Sequence, residues 1–334
     1  MPNASATAGV NEQNSLIQEK LDKSAEQKRI IGMIIPYMGL AFIFVFFTIV
    51  TNGRFLHPVN IENLINQSFT LTIIAIGSVF IYAHGGKDMS IGASSGVGQL
   101  VMALLLLRGF PVWFAVSVCI IITMAAAGLV AVISIKLKVP VFIGSMCIRT
   151  SLIGILQLIT VRGEVIIDFH QYNYMNSTAA KFIIIIIFCA AGLYLYNFTS
   201  FGKYNKAIGG NQVTSTQAGI KIDKSILTAF LFMGFCIGVA AMFSLFRLGK
   251  VTGTTGSGLE FNIMIAMALG GVPMMGGEKT RFSSAIVGAI SIIFLTNGLQ
   301  LWGLLPAVIN GVKGLLFVVI IALSYDRSAG KLIS

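Results

Sequence analysis

Ten apolar runs, separated by polar gaps, fill the chain from residue 30 to residue 324 and leave it little choice of fold class. They fall near 30–50, 69–84, 92–108, 112–135, 140–161, 179–198, 226–246, 259–275, 283–301 and 305–324. A run of about 20 predominantly apolar residues is long enough to cross the hydrocarbon of a bilayer as a helix. Charged residues make up only 10% of the chain, against roughly 25% in a soluble globular protein, and the mean hydropathy is +0.87. So few charges cannot cover a water-facing surface, and lipid is the expected solvent. The expected fold class is therefore all-α: a polytopic membrane protein of about ten transmembrane helices. The runs at 69–84 and 259–275 are short and flanked by glycines, so they are expected to be bent or broken.

The net charge of +11 does not point to nucleic acid. The cations form no basic stripe with interleaved aromatics; they sit singly in the gaps, the pattern that orients a membrane protein. If the runs alternate from a cytoplasmic N-terminus, fifteen of the 23 Lys and Arg fall on the cytoplasmic side, six fall outside, and Arg149 and Lys313 lie within runs. That asymmetry predicts both termini in the cytoplasm. The expected organisation is a flexible cytoplasmic tail over 1–29, a transmembrane domain over 30–324 and a short cytoplasmic tail over 325–334. The lead-in reads as a tail, not as a signal peptide: its charged stretch is too long and no small-residue cleavage site follows.

No catalytic signature is present. The sequence has no GxxxxGK[ST], HExxH, GxSxG or strand-opening GxGxxG, so no enzymatic activity is expected of this chain. Cys119, Cys147, Cys189 and Cys236 all fall inside apolar runs without a CxxC spacing and read as buried thiols. His57, His84 and His170 are scattered and form no metal-ligand set.

The polar residues beside the spans are the better leads, because a carboxylate in lipid needs a cavity or a partner. Asp88 follows the early end of one run in Gly85-Gly86-Lys87-Asp88-Met89-Ser90-Ile91-Gly92. It reads as an interfacial cap accepting from the Ser90 and Gly92 amides, or as a substrate, gate or subunit contact. Glu260 opens another run after a Gly-Thr-Thr-Gly-Ser-Gly stretch, where a helix N-terminal dipole stabilises it. Asn297, Asn310, Lys313 and Gln157 lie within runs and read as interhelical hydrogen-bonding groups or pore lining. Gly270-Gly271 and Gly276-Gly277 bracket a packing contact or a hinge. Residues 199–225 form the longest inner connection and carry four lysines. Within it a short helix is expected after the Gly209-Gly210 break, with Asn211 as N-cap and Gly219 as its stop.

Taken in order, these segments resemble the permease subunit of ribose-type ABC importers. The matching stretches are Asp88-Met89-Ser90-Ile91-Gly92, Ile208-Gly209-Gly210-Asn211 with Ala218-Gly219-Ile220, Gly256-Ser257-Gly258-Leu259-Glu260, Ala268-Leu269-Gly270-Gly271 with Gly276-Gly277, and Asn297-Gly298-Leu299. The resemblance runs from about Phe55 to Leu323. It implies a permease of the bacterial cell membrane that moves a monosaccharide by alternating access. Nucleosides or another small polar solute are the alternative cargo, and a stand-alone secondary transporter is the rival class. It also implies three partners: a cytoplasmic ATP-binding subunit, an extracellular or periplasmic solute-binding protein, and a second permease subunit, usually a copy of the same chain. ATP and magnesium would sit on the partner, with no cofactor or metal on this chain. The resemblance assigns Gly209, Gly210, Asn211, Ala218 and Gly219 to the contact with the ATPase. It leaves Asp88, Ser90, Gly92, Glu260, Gly270, Gly271 and Asn297 as candidates for the translocation path or its gate. Relatives commonly have a Glu-Ala-Ala-like stretch after the Asn, where this chain has Gln212-Val213-Thr214.

Overall fold

The computed structural model describes residues 34–168, 172, 178–273, 276–277 and 280–324. Both expected tails lie outside the described residues. Each of the ten apolar runs contains a helix: α1 (Ile34–Val50), α2 (Pro58–Ala83), α3 (Ile91–Leu107), α4 (Val112–Leu137), α5 (Val141–Thr160), α6 (Thr178–Asn197), α9 (Ile222–Leu248), α10 (Leu259–Leu269), α11 (Phe282–Leu301) and α12 (Pro306–Ser324). Two shorter helices, α7 (Ser200–Gly210) and α8 (Gln212–Gln217), lie between α6 and α9. Two-residue strands β1 (Val165–Ile166) and β2 (Lys250–Val251) pair antiparallel, and the exposed Lys250–Glu164 ion pair flanks them at 2.9 Å. Among the described residues, six helices are long and apolar enough to cross a membrane, and α1, α3, α10 and α12 are shorter apolar helices. The chain is all-α in class, as expected of a polytopic membrane protein.

Helix α2 corrects one expectation. The run at 69–84 is not a short or broken helix but the second half of a continuous 26-residue helix that starts with Pro58 at its first position. Proline suits that position because its missing N–H is unpaired there anyway. The first half escapes a hydropathy reading because Asn60, Glu62, Asn63, Asn66 and Gln67 dilute it. Two of these polar groups are paired inside the bundle: Asn66 accepts from Lys181 Nζ at 2.6 Å, and Asn60 pairs with Asn297.

The bundle is built around α2 and α9. In α2 72% of the most apolar window is buried, against 17% in α5 and α6, which therefore lie at the periphery. With lipid as solvent, helices associate through close packing of small residues. Gly234 and Gly238 of α9 let α4 approach until an added Cβ would lie 2.6 Å from Met124 Cα and 2.7 Å from Ile120 Cα. Gly77 does the same for α2 against Met233. The thiol expectation holds for Cys119 and Cys236 and fails for the other two: Cys147 is exposed on peripheral α5, and Cys189 on α6 is half-buried.

Asn297 joins α11 to α2. Its amide donates to Asn60 Oδ1 at 2.9 Å, and Asn60 Nδ2 donates back to Asn297 Oδ1 at 3.0 Å and to Phe55 O at 2.8 Å. Replacing Asn297 with leucine leaves the buried Asn60 half-satisfied, so a loss of about 0.6–2 kcal/mol is expected. A double-mutant cycle with Asn60→Leu, read by thermal denaturation in detergent, checks it; additive losses would show that the pair is not coupled.

Candidate functional site

Two short helices start inside the bundle and run toward opposite ends. At about 1.5 Å per residue, the 11 residues of α10 span about 16 Å, roughly half of a ~30 Å hydrocarbon core. Helix α10 packs antiparallel on α11: Gly270 abuts Ser284, and Gly288 abuts the Ala266 carbonyl. That register puts Glu260 level with the middle of α11. The N-terminus of α3 meets it there, because Gly92 packs against the Gly256 carbonyl and the Glu260 carboxylate, and Gly96 packs against Thr255.

The segments leading in are irregular. Residues 84–90 leave the end of α2 and deliver Asp88 to the junction, and residues 252–258 descend from β2. Left-handed glycines at Gly256 (φ +81°) and Gly258 (φ +84°) permit bends that a Cβ would strain. Irregular backbone at such depth is tolerated where it is enclosed by protein or lines a cavity.

The chemistry at the junction is two carboxylates and one guanidinium. Asp88 is 2% exposed and Glu260 1% exposed. Asp88 Oδ1 accepts from the Ser90 amide at 2.6 Å, and the neighbouring Met89 amide donates to Ser145 Oγ at 3.0 Å, tying the segment to α5. Glu260 Oε1 accepts from Arg149 Nη2 at 2.9 Å and from Nε at 3.1 Å. Each carboxylate thus sits at a helix N-terminus, where the macrodipole favours negative charge. One oxygen of each, Asp88 Oδ2 and Glu260 Oε2, has no hydrogen-bond partner among the described residues, and neither does the Ser90 hydroxyl. Free acceptors enclosed this way are uncommon in folded chains, and Glu260 Oε2 lies directly against Gly92, where a side chain would collide with it. Asp88 is therefore enclosed by protein, and the Gly92 amide expected as its second donor is not among its partners.

Of the other gate candidates, Gly270 and Gly271 terminate α10 against α11, with Gly271 left-handed at φ +77°. Asn297 lies apart, in its clamp with Asn60. Arg149 is the residue that sequence reasoning passed over. The signal was a lone cation inside an apolar run, but its partner is 111 positions away.

A second constellation occupies one end of the bundle. Asn211 caps α8 by accepting from the Thr214 amide at 3.1 Å, and Gly219, left-handed at φ +81°, stops it. Residues 211–214 and 216–219 are exposed. The stretch expected to be loop before Asn211 is instead helix α7. Gly209 closes onto the Ala83 carbonyl and lies against Gly277, whose amide donates to that same carbonyl at 2.7 Å. His84 Nδ1, 3.0 Å from Asn205 Oδ1, ties the end of α2 to α7. Gly210, by contrast, faces open space, where an added Cβ would meet nothing within 4 Å. Gly209 and Gly210 are adjacent in sequence but differ in kind: the first is required by packing, and the second lies on a free face beside α8.

The chain is similar to several known import permeases. The ribose import permease protein of Haemophilus influenzae is 28% identical over 285 residues, covering 83% of this chain and 85% of its own length. That of Bacillus subtilis is 27% identical over 318 residues, covering 91% and 98%. The D-allose transport system permease protein of Escherichia coli is 27% identical, covering 78% and 82%. No solved structure matches the chain. The family profile described as "Branched-chain amino acid transport system / permease component" matches residues 60–321, from the first turn of α2 to the last turn of α12, and on that match the chain belongs to this permease family.

Proposed function

We propose that the chain is the membrane-spanning permease of an ATP-driven importer that carries a monosaccharide, ribose or a close relative, across a bacterial cell membrane by alternating access. The observation that carries this reading is the breadth of the likeness: permeases named for ribose and allose align with most of this chain's length. The exposed α8 is the contact for a separate ATPase subunit. Both termini lie on its side of the membrane, where the lysine-rich gaps gather. A solute-binding protein delivers the sugar at the opposite face, and a second copy of the chain completes the pore.

The contacts suggest how a push on α8 reaches the centre. Helix α7 carries it to Gly209, which bears on both Ala83 and Gly277. From Ala83 the segment 84–90 leads to Asp88 and the junction with Glu260 and Arg149. The two spare carboxylate oxygens are acceptors suited to sugar hydroxyls. The cycle turns only if the sugar has different affinity in the inward- and outward-open states.

The test uses the open face at Gly210. Gly210→Val and Asn211→Asp remove no packing contact of the chain, so its melting temperature in detergent should stay unchanged. Sugar uptake by the reconstituted importer should fall at least about tenfold, a coupling loss of ~1.4 kcal/mol, while the ATPase alone keeps its activity. Undiminished uptake in both variants would refute α8 as the contact, and sugar transport by the chain without any ATPase would refute the ATP-driven reading.

A further inference from the structure

A cavity of about 690 Å³ opens beside α7 and α8, between the end of α6 and the start of α9. Its apolar wall is Leu195, Phe201 and Phe232, and its polar wall includes Lys221 and Lys224. Two helix N-termini border it, α7 at Ser200 and α9 at its N-cap residue Lys221, and neither has a side-chain cap. Their first amides are unspent donors with a dipole that favours anions. Ser225 adds an independent observation. It lines the cavity, is only 7% exposed, and its hydroxyl has no hydrogen-bond partner. The nearby Thr228 hydroxyl is already committed to the Lys224 and Ser225 carbonyls. The acidic Asp223 in the same turn is not part of the wall.

The surroundings place the cavity at the depth of lipid headgroups. Tyr194 and Phe198 stack on the outside of α6, 61% and 67% exposed, and Tyr204 on the cavity wall is 44% exposed. Aromatic side chains gather at the membrane–water boundary. Lys203 and Lys206 of α7 add cationic charge at the same end.

We propose that this cavity binds an anionic phospholipid of the adjacent leaflet. The phosphate lies between Lys221, Lys224 and the N-terminus of α9, with Ser225 as a further hydroxyl donor, and the first part of an acyl chain lies on Leu195, Phe201 and Phe232. Gly219, which ends α8, is part of the same wall, so an occupant braces α8 against α9. This regulatory consequence rests on the proposed role of α8; the binding itself does not.

Native mass spectrometry of the full-length chain released from nanodiscs of phosphatidylglycerol and phosphatidylcholine is expected to show retained phosphatidylglycerol. In titrations with short-chain phosphatidylglycerol, replacing Lys221 and Lys224 by glutamine should weaken binding about five-fold per lysine, roughly twenty-five-fold for the pair. Ser225→Ala should weaken it further. Lys136→Gln with Lys138→Gln, at the same end of the bundle but outside the cavity, should change nothing. Equal retention by the Lys221/Lys224 double variant, or equal affinity for phosphatidylcholine, would overturn the proposal. Displacement of the lipid by inorganic phosphate at comparable concentration would make this a free-anion site and overturn the lipid assignment. Because binding is read on the isolated chain, its failure is separable from failure of the importer reading, which is tested by uptake.

Discussion

Arg149→Leu is expected to abolish transport and to cost the fold about 1–3 kcal/mol, below the full penalty for a buried ion pair, because Glu260 is buried but the Arg149 side chain is 24% exposed. The size follows from what remains. Glu260 is 1% exposed, its Oε1 loses both guanidinium hydrogen bonds, and its Oε2 already has no partner. A carboxylate at mid-bundle then has only the α10 dipole to stabilise it, worth about 0.3–1 kcal/mol. Adding Glu260→Gln to Arg149→Leu removes the stranded charge and should recover much of the stability without recovering transport. Thermal denaturation in detergent and uptake in vesicles, measured on both single variants and the double, separate the two effects. If Arg149→Leu melts like the parent, the pair does not hold α5 to α10. If the double variant transports normally, the junction has no part in the gate.

Gly92→Ala should be a strongly damaging single-carbon change at the junction. The new Cβ collides with the Gly256 carbonyl and the Glu260 carboxylate, and neither can move without displacing the loop that positions α10. Overpacking of this kind costs typically 1–3 kcal/mol, occasionally more, and here the upper end is expected because the obstacle is backbone. Gly98→Ala, six residues along the same helix, crowds the Thr123 methyl at 2.8 Å and Cys119 Sγ at 3.1 Å, side-chain atoms, and meets backbone only at an ordinary 3.7 Å from the Cys119 carbonyl, so its cost should be smaller. Gly154→Ala on peripheral α5 meets nothing within 4 Å and should be neutral or slightly stabilising, as Ala for Gly in an open helical position is. The ranking Gly92, Gly98, Gly154 in melting temperature checks the argument. Equal loss at Gly92 and Gly98 would mean that α3 and α10 do not meet as described.

Much of the site's local detail was legible because it depends on neighbouring residues. The helix α8 follows from Asn211 three positions before the amide that it caps and from Gly219 at the left-handed stop. The short α10 follows from glycines on both sides of its apolar stretch. Helix α2 was misread where polar residues are paired inside the bundle, since Asn60 and Asn66 look like loop until Asn297 and Lys181 are brought to them. Gly209 and Gly210 could not be told apart from sequence, because one meets Ala83, more than a hundred residues earlier, and the other meets nothing.

The sequence by itself determined the solvent, the all-α class, the order of ten apolar helices and the positions of caps and stops. Those depend on hydropathy and hydrogen bonding within one or two turns of chain. Only the tertiary structure decided that Asp88, Arg149 and Glu260 share one enclosed junction, that Asn60 and Asn297 clamp two helices, and that Lys221, Lys224 and Ser225 line one cavity. In lipid, apolar side chains gain little by choosing one neighbour over another, so close contacts between glycines and the pairing of a few buried polar groups select the arrangement. Those contacts join residues far apart in the chain, and no local pattern carries them.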